Sequence, residues 1–207
     1  MTDTEAATTD LELLRAWRAG DAVAGRELVR RHQACVRRMF VHKVGDAVDD
    51  LVQRTFLACL AHVDQMTDGA RFRAYLLRTA RNELYLHFRE RHGPRGRIDA
   101  MTTSVHELAP SPSRELSELR RRDLLLFALQ TLPLDLQLAL ELHYWEALRG
   151  PELAIVLGIP EGTVRSRLRL AKDRLRTTLA RLGDAEPIAS GDFDAWADGL
   201  RRRSVTP

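Results

Sequence analysis

Five cations stand between Arg165 and Arg174 in the stretch GIPEGTVRSRLRLAKDRL, at positions 165, 167, 169, 172 and 174. The same stretch keeps Val164, Leu168, Ala171 and Leu175 at i, i+4, i+7 and i+11, the inward face of an amphipathic helix. Opposite that face lie Gly162, Ser166 and Arg169, with Arg165 on one flank and Thr163 and Arg167 on the other. Arginine can pair bidentately with guanine or hold a phosphate, and serine and threonine can take either role. Small residues near a helix start let it enter a major groove. Between Arg149 and Leu182 eight cations stand against three acids, a local charge of +5, while the whole chain carries only +3. Cations on both flanks of a packed helix suit a helix bordered by phosphates on each side of a groove.

The segment before this helix is built to hold it. PELAIVLG reads as a short apolar helix with small Ala154 at its middle, where two helices can cross closely. Gly158 supplies a tight turn, Ile159 is expected to plug the core, and the second helix begins at Pro160. The layout is that of a helix-turn-helix. Upstream, SRELSELRRRDLLLFALQTL and PLDLQLALELHYWEAL read as two further helices, the latter with Pro133 in its first turn.

The N-terminal half is a second helical set. Asp10 is expected to cap a short helix that stops at Gly20, and Asp21 to open a longer one running to Gly45. A third starts at Asp46, with Val48, Val52, Phe56, Cys59 and Val63 on one face. After the polar turn TDGA comes RFRAYLLRTARNELYLHFRER. Residues 92–113 hold three prolines, two glycines and no apolar period, which is the composition of a linker. The expectation is an all-α chain of two helical domains on a flexible linker: 10–91, then 114–182 with the helix-turn-helix, and a C-terminal extension over 183–207.

Composition excludes several classes. An apolar fraction of 44% with 29% charged residues suits a globular protein rather than a disordered one. No apolar run approaches the ~20 residues of a membrane span, and the acidic MTDTEAATTD is unlike a signal peptide, so a cytoplasmic protein without membrane insertion is expected. Cys35 and Cys59 fall on apolar helix positions as buried thiols, with neither zinc-site nor disulfide spacing. There is no phosphate-binding glycine loop, no His-Glu-x-x-His and no nucleophile elbow. A non-enzyme without metal or cofactor is expected.

The whole layout resembles the sigma factors of bacterial RNA polymerase. LQTLPLDLQLALELHYWEALRGPELAIVLGIPEGTVRSRLRLAKDRLRTTL is similar to their promoter-recognition domain, and DDLVQRTFLACL followed by FRAYLLRTARNELYLHFRER to their first core domain. With only a linker between the two, the chain resembles the short extracytoplasmic-function (ECF) group, over about residues 11–182. The resemblance implies that Thr163, Arg165, Ser166, Arg167 and Arg169 face the minus-thirty-five element. Arg71, Arg78, Arg81 and Asn82 would face the minus-ten element, with the DQMTDGA loop holding an unstacked base. Phe72 and Tyr75 are expected in the core rather than as stacking platforms. Asp46, Asp49, Asp50, Gln53, Arg54 and Leu57 would grip the clamp helices of the largest subunit of core polymerase. Promoter DNA and core polymerase are thus the implied partners.

Two departures from the family pattern carry consequences. Where the family reads DAEDLVQETF this chain reads AVDDLVQRTF, so Ala47 and Arg54 replace acids on a face that meets cations. Like charges across an interface cost several kcal/mol. Phosphorylation of Thr55 would restore about −1.5 to −2 of charge, which makes a Ser/Thr kinase a candidate partner beside an anti-sigma factor. In NELYLHF, Glu83 takes a usually apolar position and Leu86 a usually polar one. Two alternative readings differ in kind: a dimeric helix-turn-helix regulator acting without polymerase, and a helical adapter that binds only proteins.

Overall fold

Helix starts follow the capping chemistry of the chain, sometimes one residue from where the pattern alone puts them. The protein is described here from a computed structural model, over residues 9–62, 72–92, 99, 101–108 and 121–182. Helix α1, Asp10–Arg18, is capped by Thr9 rather than Asp10. Thr9 and Glu12 form a reciprocal capping box, with the Thr9 N–H donating to Glu12 Oε2 at 2.8 Å. Asp10 is instead spent across helices, accepting from Arg31 at 3.2 Å and lying 2.8 Å from His32 Nε2.

Helix α2, Ala22–Phe40, opens at Asp21 as expected, its carboxylate accepting from the Val23 and Ala24 N–H groups. It stops at Phe40 rather than Gly45, because His42 takes a left-handed φ of 66°. A 3-10 turn, Gly45–Ala47, then leads into α3, Val48–Ala61. Gly25 allows α1 and α2 to approach, since a Cβ there would lie 2.6 Å from the Trp17 indole. Helix α4, Phe72–His92, follows. Leu14, Leu28, Phe40, Leu51, Leu76 and Leu84 are fully buried among these helices.

Contacts divide the chain into Met1–Tyr85 and Leu86–Pro207. In the second unit, α5 is Val105–Leu108, α6 Arg121–Gln130, α7 Leu134–Tyr144, α8 Gly150–Leu157 and α9 Glu161–Arg181. The core joins Leu125, Leu129 and Leu132 to Leu136 and Leu140 of α7 and to Ala171, Leu175 and Leu179 of α9. Helix α7 packs against α6, α8 and α9, and every residue from Leu134 to Leu142 is buried. That explains why its leucines are not confined to one stripe. Its buried polar groups pair: Gln137 Nε2 donates to Glu141 Oε1 at 2.8 Å.

The linker expected over 92–113 is narrower than its composition implies. Ser104 and Glu107 make a second capping box, and Val105 and Leu108 are buried. The Leu134 N–H donates to the Thr103 carbonyl at 2.9 Å, and Ser104 bridges Pro133. Two apolar residues one turn apart are too few to raise a periodic signal, yet enough to dock a single turn.

Candidate nucleic-acid interface

The helix-turn-helix is assembled from α8 and α9. Gly158 adopts the left-handed φ of 64° that closes α8, and the Ile159 N–H returns to the Ala154 carbonyl at 3.1 Å. Pro160 then starts α9. Val164, Ala171, Leu175 and Leu179 are buried beneath α9, with Leu168 only half-covered. Ile159, expected as a core plug, is likewise only half-buried.

On the outer side Gly162, Thr163, Arg165, Ser166 and Arg169 are all exposed. The Arg169 side chain is 85% accessible and has only a 4.0 Å approach to Asp173. Ser166 Oγ donates back to the Thr163 carbonyl at 2.9 Å, which leaves its lone pairs outward as acceptors. A Cβ on Gly162 would meet nothing within 4 Å, so the helix start presents open backbone.

Arg167 does not belong to this outward set. Its Nη1 lies 3.0 Å from Asp135 Oδ2 on α7, with the two side chains only 13% and 8% accessible. At 100° per residue it stands 60° from Val164, close enough to the inward face for a long side chain to turn under. Asp135, which sequence reasoning passed over, is the reason it does so. An acid in the first turn of a leucine-rich helix was the available signal.

Helix α4 presents Arg78 and Asn82 to solvent, whereas Arg81 is half-buried with its guanidinium 4.5 Å over the Tyr85 ring. Phe72 is buried and meets His32 edge-on at 5.3 Å; Tyr75 is half-buried. Arg71 and the DQMTDGA loop lie outside the described residues.

A second surface lies on α3 and the turn before it. Asp46, Asp49, Asp50, Gln53 and Leu57 are exposed, Leu57 by 50%, and Asp49 is held by Arg37. Arg54 is different. Its Nε sits 2.9 Å from Glu83 Oε2 of α4, and its Nη1 3.9 Å from Asp50. One residue from each departure, Arg54 and Glu83, thus joins in a single ion pair, and the positive charge on this face is smaller than Arg54 alone implies.

Thr55, the expected phosphorylation site, lies at the edge of a buried face by its helical spacing, and the packing covers it. It is fully buried, and its Oγ1 donates to the Leu51 carbonyl at 2.7 Å. A phosphoryl group cannot be placed there while α3 is intact. Nearby Cys59 is buried as expected, and desolvation pushes its thiol up to about 12. Among the described residues no group of three or more His, Cys, Asp or Glu could hold a metal ion. None of the described helices is long and apolar enough to cross a membrane.

Residues 28–93 match the family described as Sigma-70 region 2, and residues 122–175 the family described as Sigma-70, region 4. The chain is 33% identical to the ECF RNA polymerase sigma factor SigL of Mycobacterium tuberculosis, over 80% of this chain and 94% of that protein. It is 30% identical to the ECF RNA polymerase sigma-E factor of Escherichia coli, over 81% and 92% respectively. Among solved structures, CnrH in complex with the cytosolic domain of CnrY aligns with a TM-score of 0.53 at 25% identity, covering 86% of this chain and 98% of that one. The sigma factor RpoE in complex with the anti-sigma factor NepR from Bartonella quintana shares the fold, with a TM-score of 0.57 at 23% identity over 75% and 96%. With a helix-turn-helix in one unit, an acid-and-leucine face in the other and relatives matched over most of their length, the chain belongs to the ECF sigma factors of RNA polymerase, which are transcription initiation factors.

Proposed function

We propose that this chain binds core RNA polymerase through the Asp46, Asp49, Asp50, Gln53 and Leu57 face and directs promoter recognition, melting and initiation. Residues 10–91 bind core and the minus-ten element, and the part containing α6 to α9 binds the minus-thirty-five duplex. The observation that carries this is the α9 patch of Thr163, Arg165, Ser166 and Arg169, wholly exposed while the opposite side of the helix is buried. Arginine and hydroxyl groups on an exposed helix of this kind suit major-groove base edges and phosphates. Arg78 and Asn82 on α4 supply a polar surface for the opened strand, with Arg81 held in place by Tyr85. The protein acts in the cytoplasm, where polymerase works.

The test is transcription in vitro with core polymerase and a library of genomic promoter fragments. Specific initiation by the wild-type chain, lost in the Arg165→Ala/Arg169→Ala variant, is the expected result. Binding to a palindromic duplex without polymerase would favour a dimeric regulator instead, and full function of the double variant would favour an adapter.

Regulation follows from the same face. An anti-sigma partner is proposed because both structural neighbours were solved as complexes, one with a named anti-sigma factor. Phosphorylation of Thr55 enters in a restricted form. A kinase reaches the buried hydroxyl only when α3 opens locally, after which the phosphate stands beside Arg54 and turns the face acidic. Kinase-treated and untreated protein compared for polymerase binding decides this; equal binding removes Thr55 from the scheme.

A further inference from the structure

We propose that the Arg167–Asp135 ion pair is a strut that sets the rotation of α9 in the groove, and that Arg167 itself makes no contact with DNA. This rests on the reading of α9 as the minus-thirty-five reader.

Arg167 stands in the middle of the outward readers, one residue from Ser166 and two from Arg165 and Arg169. A rotation of α9 about its axis moves all of them across the groove floor together. What resists such rotation is thin in this half of the helix. From Glu161 to Leu170 only Val164 is buried among the apolar residues, with Leu168 half-covered against the core, and the next buried position is Ala171. Into that gap the Arg167 guanidinium reaches Asp135 at 3.0 Å, with both side chains nearly covered.

Asp135 is a firm anchor. It lies in the first turn of α7, where the helix dipole favours a carboxylate. The neighbouring Leu134 N–H is tied to the Thr103 carbonyl at 2.9 Å, and α7 is buried from Leu134 to Leu142. Drawing Arg167 out to a phosphate would strip a covered carboxylate of this cation, which is unfavourable. A buried, directional pair of this kind adds little net stability over apolar packing, but it specifies one orientation. Arg167 and Asp135 are thus positioning residues that act through Arg165, Ser166 and Arg169.

The experiment uses holoenzyme assembled from core polymerase and full-length variants. The probes are a promoter duplex selected by wild-type holoenzyme from a genomic library and the same duplex with its upstream element scrambled. Asp135→Asn and Arg167→Met should each cut the preference for the selected duplex roughly tenfold. The slope of log affinity against log salt should stay unchanged, whereas Arg165→Ala should lower it by about one. The apolar pair Arg167→Met/Asp135→Leu, checked for folding by thermal melting, should fold and still lose the preference.

Full preference in that folded double variant would make the pair merely structural and overturn the proposal. So would a lower salt slope for Arg167→Met with Asp135→Asn unaffected, since that marks a phosphate contact. If Arg165→Ala and Arg169→Ala also leave the preference intact, the reading of α9 fails first and the strut with it.

Discussion

Arg54 of α3 and Glu83 of α4 face each other at 2.9 Å, an ion pair between two different helices. Each is unusual for its position when taken alone, an arginine where the family carries an acid and a glutamate where it carries an apolar residue. Together they neutralise one another. Glu83 Oε2 is buried and makes no hydrogen bond of good geometry, so the guanidinium charge beside it is its compensation. The pair links α3 to α4, and it leaves Asp46, Asp49 and Asp50 to set the sign of the exposed face.

Removal of Arg54 alone should therefore harm folding more than removal of the pair. Arg54→Met is expected to destabilise by about 1–3 kcal/mol, and Arg54→Met/Glu83→Leu by clearly less, a coupling in the usual range for neighbouring charges. Urea unfolding of the four proteins in the cycle measures this. Additive losses would show that the two side chains do not depend on each other.

Leu57 is a large apolar side chain held half-exposed beside acids, the composition of an interface centre rather than of a solvated surface. Leu57→Ala should leave the melting temperature within a degree or two and weaken core polymerase binding by about 1–2 kcal/mol. A pull-down titration against labelled core enzyme reads the loss. Unchanged affinity would move the docking face elsewhere on the first unit.

Thr55 is a poor site for a charge mimic. Thr55→Val deletes one hydrogen bond to the Leu51 carbonyl and should cost about 1 kcal/mol. Thr55→Glu places a carboxylate in a fully buried position and should cost roughly 3 kcal/mol or more. Thermal melts distinguish the two. A Thr55→Glu protein that melts like wild type and binds polymerase more tightly would show that α3 opens cheaply there, in favour of the phosphorylation scheme.

Ala147, in the turn from α7 to α8, holds a left-handed φ of 54°. A side chain in that region is strained, and glycine is not. Ala147→Gly should raise stability by about 0.5–1 kcal/mol, seen as a higher urea midpoint at unchanged slope. A loss of stability would mean that the turn relaxes at no cost around the alanine methyl.

Much was legible in the chain because helical periodicity is a local property. The spacing of Val164, Leu168, Ala171 and Leu175 determined which side of α9 faces inward, and Gly158 with Pro160 determined where one helix ends and the next begins. The same spacing put Arg165, Ser166 and Arg169 outward, as observed. Thr9 displacing Asp10 as the cap, and the single turn at Val105–Leu108, were at the limit of that signal because a one-turn element has no period.

What only the tertiary structure decided is which neighbour each flank residue meets. Periodicity places Arg167 at the edge of the inner face but is silent about Asp135, 32 residues earlier in the chain, which draws it under. It places Thr55 at the rim of a buried stripe, while the packing of the first unit closes over it completely. It leaves Arg54 and Glu83 as two separate oddities until the fold brings the two side chains together. A helix carries the angle of each side chain about its own axis; the charge and cover that side chain finds there come from another helix.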